Sequence, residues 1–167
     1  MFSELAGVVN VEPGYSGGTV SNPTYEQVCT GETGHAEVAQ VTFDPAVVSY
    51  RELLEVFFST HDPTTMNRQG ADLGTQYRSV IFYHSAGQKA AAEAMIRELS
   101  DEKVFRNPIV TQVVPFEHFF PAEDYHRRYF ERNPGKAYCQ VVITPKLSKF
   151  RAHFRSRLKG ATGPGYG

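Results

Sequence analysis

At 167 residues, with 41% hydrophobic and 21% charged residues, the chain has the size and composition of one globular domain with a real core. A formal net charge of −1 gives no electrostatic reason to expect nucleic acid or an anionic membrane as partner. The apolar runs are far too short to span a bilayer, no signal-peptide pattern opens the sequence, and two cysteines without CxxC spacing make no disulfide framework, so a cytoplasmic protein is expected.

Phe2 to Leu5 reads as the last turn of a helix ending at Gly7, and Val8 to Val11 as a short strand. Glu12 to Val28 is a loop rich in Gly, Pro, Asn and Ser; with Cys29 just beyond it, this loop region offers Tyr15, Asn22 and Tyr25. From Glu37 the chain alternates, so Ala39, Val41 and Phe43 share one strand face that a carboxylate opens. Desolvation disfavours the charge of such a carboxylate, which leaves either a strand-end Glu reaching water or an acid with a chemical role. Asp44-Pro45 stops the strand. Ser49 and Glu52 cap a helix from Tyr50 to Thr60 that carries Leu53, Leu54, Phe57 and Phe58. His61 to Tyr77 is a second polar loop, long for a mere connection.

Arg78 to His84 reads as a buried strand, and Ser85 and Gln88 cap a helix to about Leu99. Ile109 to Val114 is a β-branched strand ending at Pro115, Pro121 to Arg132 has helical spacing through Tyr125 and Tyr129, and Tyr138 to Ile143 can be a last strand. Thr144 and Pro145 open a helix whose stripe, Leu147, Phe150, Phe154 and Leu158, runs up to Gly160; residues 161–167 read as a disordered tail. The sum is a single α+β domain over residues 1–160, with helices packed on a mixed sheet.

The two polar loops carry the residues suited to binding a small polar group. A metal seeded at His61-Asp62 is an alternative, but the histidines fit no zinc spacing and fall on different elements. His61-Asp62-Pro63 reads better as a cap on the Tyr50–Thr60 helix. A Cys29/His35 nucleophile pair is also open, although nothing in the sequence orients that histidine.

Gly14-Tyr15-Ser16-Gly17-Gly18, Asn22-Pro23-Thr24-Tyr25-Glu26-Gln27-Val28-Cys29, Gly34-His35-Ala36-Glu37, His61-Asp62-Pro63-Thr64, Gly74-Thr75-Gln76-Tyr77-Arg78-Ser79, Pro121-Ala122-Glu123-Asp124-Tyr125-His126 and Tyr138-Cys139-Gln140 follow one another in a fixed order. That series resembles the peptide methionine sulfoxide reductase A family, in unbroken order from Phe2 to about Lys159. The resemblance implies a two-layer α+β sandwich and the reduction of methionine (S)-sulfoxide, in oxidised proteins and peptides or free, by a cysteine thiolate. It implies no bound cofactor, a thioredoxin that recycles the enzyme through a disulfide, and a monomer as the working unit. By the same resemblance Glu37 is the acid that protonates the sulfoxide oxygen, Tyr25 and Tyr77 donate hydrogen bonds to it, and Asp72 helps hold the site and its water.

One part of the pattern is missing. The family's nucleophile lies in a Gly-Cys-Phe-Trp motif at the end of its first strand, and this sequence has no such motif and no tryptophan at all. The expectation is that the nucleophile lies upstream of Met1 and that the chain as written is inactive. Loss of a first strand would bare a row of backbone N–H and C=O groups. A methionine-sulfoxide-binding domain without catalysis is the alternative, and a thiol enzyme using Cys29 a third reading. Cys139 can be the resolving cysteine, or a buried thiol of the rigid run Val141-Val142-Ile143; Cys29 is expected to be a small buried residue.

Overall fold

A computed structural model describes residues 2–123, 152 and 154–159. After a 3-10 turn at Phe2–Glu4, strand β1 runs over Val8–Ser16, five residues beyond the Val11 boundary expected from sequence. Pro13 and Gly14 read as loop punctuation, yet both sit inside the strand, each for a local reason. Pro13 lacks an N–H, but its carbonyl accepts from Ala122 N at 2.9 Å. Gly14 lies under the Phe119 ring, where a Cβ would stand 2.4 Å from Cζ.

Strand β1 is the centre of an antiparallel ladder. Strand β2, Ala36–Phe43, pairs along one side, with Tyr15 opposite Glu37. On the other side Tyr15 lies opposite Phe120 of a strand that the sequence did not signal, Phe119–Pro121. Pro121 therefore belongs to a strand, and the helix expected from there does not begin at that residue. Between β1 and β2, Thr24 caps a short helix α1, Tyr25–Cys29. Helix α2 spans Tyr50–Thr60 as expected, with Ser49 Oγ accepting from Glu52 N at 3.1 Å. The second polar loop folds into a two-residue ladder, β3 (Arg68–Gln69) and β4 (Asp72–Leu73), followed by a 3-10 turn at Thr75–Tyr77.

Strand β5, Val80–Tyr83, pairs in parallel with β6, Gln112–Pro115, and the crossover between them carries helix α3, Ala86–Asp101. The Phe119–Pro121 strand is then β7. Antiparallel and parallel ladders together with helices make the mixed α+β fold.

Helix α2 holds the halves together, because its buried residues face two ways. Leu53 and Val56 join Leu5, Val8, Val48 and Phe154 in one core, whereas Leu54 and Phe58 join Ile81, Ala92 and Met95 in another. The C-terminal helix is kept in part: Ala152 is helical and Phe154 is buried, but the expected α-helix gives way to a 3-10 turn at Arg155–Arg157, and Leu158 bridges to Leu5. The expected strand Tyr138–Ile143, Cys139 within it, and the tail lie outside the described residues. No helix among the described residues is long and apolar enough to cross a membrane.

Candidate active site

Helix α1 exists because Thr24 and Gln27 form a capping box. Thr24 Oγ1 accepts from Gln27 N at 3.2 Å and Gln27 Oε1 accepts from Thr24 N at 2.8 Å. Thr-x-x-Gln was the available signal inside what reads as a loop. One carboxylate then fixes the start of the helix: Glu123 accepts from Tyr25 N at 2.7 Å through Oε1 and from Tyr15 Oη at 3.1 Å through Oε2. Sequence reasoning gave Glu123 no role, and its partners lie about a hundred residues away in the chain. Val28 takes the inward position of α1, so Cys29, one step round the helix, is exposed rather than buried as expected. The Tyr25 phenol hydrogen-bonds the Cys29 side chain. That bond comes first, then partial burial, then the like charges that Cys29, Tyr77 and Glu37 carry when ionised; together they hold the Tyr25 pKa above the ordinary phenol range. Tyr25 thus stays a donor across working pH.

Tyr77 is carried by the 3-10 turn, which two side chains tie to the end of α1. Gln76, buried, donates from Nε2 to Cys29 O at 3.4 Å, and Thr75 Oγ1 donates to Gly31 O at 3.4 Å. Gly74 sits at φ +139°, and a Cβ there would lie 2.2 Å from Gln76 Oε1. Arg78 extends the tie, donating from Nη2 to Gly34 O at 3.0 Å and from Nη1 to Thr75 O at 2.9 Å. The two tyrosines, distant in sequence, are therefore mounted on cross-linked elements.

Glu37 follows a buried anchor. His35 is 2% exposed; its Nδ1 accepts from Gly18 N at 2.9 Å and its Nε2 donates to Val20 O at 2.7 Å. With both ring nitrogens committed, His35 is no base for Cys29, and the proposed nucleophile pair is not formed. The strand face beyond it departs from the expected apolar burial: Ala39 is exposed, and Val41 and Phe43 are only half-buried. Glu37 itself is reachable by water, yet the crowding around its carboxyl raises its pKa by desolvation, with the Asp72 charge adding to the effect. Glu37, Asp72 and Tyr77 line one cleft of about 520 Å³, and Tyr25 stands beside its lining.

His61 closes helix α2 as the sequence suggested. Its Nδ1 donates to Phe57 O, and its Nε2 accepts from Ser79 Oγ at 2.8 Å. Burial lowers its pKa, outweighing the backbone hydrogen bond and Asp62, which act the other way. The folded state thus binds fewer protons than the unfolded chain as pH falls through the ordinary value of 6.5. This contribution to stability is full above that value and is lost as pH falls toward and through the folded pKa. Below a pH of about 6.5 the urea midpoint of the parent should fall more steeply than that of His61→Gln; parallel slopes would assign acid lability elsewhere. Among the described residues no group of three His, Cys, Asp or Glu converges as a metal site would require.

Comparison with known proteins identifies the family. The family model described as peptide methionine sulfoxide reductase matches residues 1–158. The chain is 58% identical over 154 residues to the peptide methionine sulfoxide reductase MsrA of Sulfolobus acidocaldarius, covering 92% of this chain and 86% of that protein. It is 54% identical over 158 residues to the MsrA of Thermus thermophilus, covering 95% and 89%. Among solved structures, reduced Mxr1 from Saccharomyces cerevisiae superposes with a TM-score of 0.73 at 39% identity, over 80% of this chain and 76% of that one. Methionine sulfoxide reductase A of Corynebacterium diphtheriae gives 0.67 at 36%, over 77% and 65%. The chain belongs to the peptide methionine sulfoxide reductase family.

Proposed function

We propose that the described residues form the oxygen-binding and proton-donating half of a methionine (S)-sulfoxide reductase, and that the sulfur-attacking thiol comes from a Gly-Cys-Phe-Trp segment outside the 167 residues. The observation that carries this reading is the raised pKa of Glu37 in the same cleft as Asp72 and Tyr77, with Tyr25 kept protonated beside it. In the reaction, the thiolate attacks the sulfoxide sulfur and the S–O bond breaks. Glu37 supplies the proton the oxygen needs, while the phenols of Tyr25 and Tyr77 hold that oxygen as it gains charge. Attack has joined the cysteine sulfur to the methionine sulfur, so the released oxygen, as hydroxide, adds to the cysteine sulfur and breaks that S–S bond, leaving a sulfenic acid and methionine. A second thiol, for which Cys139 is the candidate, attacks the sulfenic sulfur and expels water, and thioredoxin reduces the resulting disulfide by exchange. Asp72 keeps the neighbouring charge negative and helps hold Glu37 protonated.

The test compares the chain as written with the chain carrying Gly-Cys-Phe-Trp ahead of Phe2, using a methionine (S)-sulfoxide peptide and thioredoxin or dithiothreitol. The chain as written should give no turnover above background, and the extended chain should turn over. Turnover by the unextended chain that Cys29→Ser abolishes would overturn the reading and make Cys29 the nucleophile.

A further inference from the structure

One carboxylate ties together the two elements that carry Glu37 and Tyr25. Glu123, half-buried just past the end of β7, accepts from Tyr15 Oη at 3.1 Å through Oε2 and from Tyr25 N at 2.7 Å through Oε1. Each contact leads to a different group of the cleft. Tyr15 is the ladder partner of Glu37, and residues directly opposite in an antiparallel pair send their side chains to the same face of the sheet. Tyr25 is the first residue of α1, and the leading N–H groups of a helix have no acceptor within it. Thr24 caps Gln27 N, so the Tyr25 N–H needs an acceptor from elsewhere, and Glu123 supplies it. Beneath this bridge Tyr15, Val28 and Ala122 pack as one buried cluster. Ala122 N donates to Pro13 O at 2.9 Å, which holds the chain at the end of β7 against β1.

We propose that Glu123 is a positioning residue for the reduction, setting the separation between the acid Glu37 and the phenol of Tyr25 through the Tyr15 ring on one side and the Tyr25 backbone on the other. Its catalytic consequence rests on the function proposed above, in which both groups act on one sulfoxide oxygen. Glu37 is carried by an eight-residue strand laddered to β1, whereas α1 has five residues and is too short to hold its own place. A phenol mounted on such a helix keeps its distance from the acid only if the helix is tied to the same ladder from outside. Gln76 and Thr75 tie the far end of α1 to the Tyr77 turn, and Glu123 ties the near end to β1. A carboxylate suits the task because both of its oxygens accept, one from each donor, so neither donor is left unpaired. A glutamine can hold the same two groups, its carbonyl accepting from the N–H and its amide donating to the phenol oxygen. An alanine can hold neither.

Amide hydrogen exchange reads the tie directly in the chain as written, without any need for turnover. Glu123→Ala should speed exchange at the Tyr25 N–H by about tenfold or more, the scale of one charge-assisted hydrogen bond. The Gly18 N–H, which His35 Nδ1 accepts, should keep its rate, and Glu123→Gln should restore most of the protection at Tyr25. Kinetics of the extended chain, with a methionine (S)-sulfoxide peptide and dithiothreitol well below each thermal midpoint, read the consequence. Glu123→Ala should lower kcat by roughly 10- to 10²-fold, up to the cost of a misplacement on the order of an ångström, and leave KM nearly unchanged. Tyr15→Phe, which keeps the ring and drops the hydroxyl, should show part of that loss, and Glu123→Gln should recover most of the rate. In a Tyr25→Phe background, Glu123→Ala should change kcat by less than about twofold, because the phenol it positions is gone. A residue that only supports the fold would cost the same factor in both backgrounds. That result, or Tyr25 exchange unmoved by Glu123→Ala, would overturn the proposal. An extended chain that never turns over would overturn the function proposed above, and the exchange rates alone would then decide whether Glu123 holds Tyr25.

Discussion

Glu37→Gln in the extended chain is expected to lower kcat by about 10²–10⁴-fold with little change in substrate binding. The substitution keeps the shape of the side chain and removes only its proton. The same substitution should not weaken the fold. Burial raises the Glu37 pKa, so ionising this carboxyl is costlier in the folded state than in the unfolded chain, and stability falls as pH rises through the ordinary carboxylate range. Glu37→Gln removes that loss. Its thermal midpoint should equal the parent's in acid, where both are neutral, and match or exceed it near neutrality. A loss of activity accompanied by a lower midpoint at pH 7 would point to a structural residue instead. Activity within twofold of the parent would mean that Tyr25, Tyr77 or water supplies the proton.

Legibility differed between elements for identifiable reasons. Helix α2 was readable to the residue because Ser49 caps it and its apolar spacing is uninterrupted, and β2 and α3 were readable almost as well. The length of β1 was not, since Pro13 and Gly14 are turn residues by local rule, and their partners, Ala122 on the carbonyl that Pro13 keeps and Phe119 in the space that Gly14 leaves, lie more than a hundred positions away. The same distance hid Glu123, whose carboxylate has no pattern around it and gains meaning only where β1 and α1 meet it. Glu37 does have a raised pKa, although its strand face opens into a cleft instead of burying in a core. The clustering of Tyr25, Tyr77 and Asp72 with it was implied by motif resemblance alone. Periodicity could not have gathered residues from α1, β2, β4 and a 3-10 turn.

His35 pins the loop after β1 to the start of β2 through Gly18 and Val20, and His35→Ala is expected to destabilise the fold strongly. The ring is 2% exposed and meets Phe120 edge-on at 5.5 Å between centroids. Its loss leaves a cavity, strips the Gly18 N–H of its acceptor and the Val20 carbonyl of its donor. No side chain can move in from the loop to refill that space, because Gly18 packs so closely that a Cβ on it would lie 2.4 Å from both His35 N and Thr33 O. A large buried side chain cut to Ala costs about 3–5 kcal/mol, against a whole-domain stability of about 5–15 kcal/mol. For a chain of this size that corresponds to a drop in Tm of roughly 6–20 °C. The two nitrogens can be tested separately. His35→Asn retains an acceptor near the Nδ1 position for Gly18, His35→Gln retains a donor near the Nε2 position for Val20, and each should recover part of the loss. Because Glu37 is two residues further along the strand, activity of the extended chain should fall with His35→Ala even well below its lowered Tm. A His35→Ala protein within about 1 kcal/mol of the parent, less than one buried hydrogen bond left unmade, would show that the Gly17–Val20 loop is held to β2 by its backbone contacts alone.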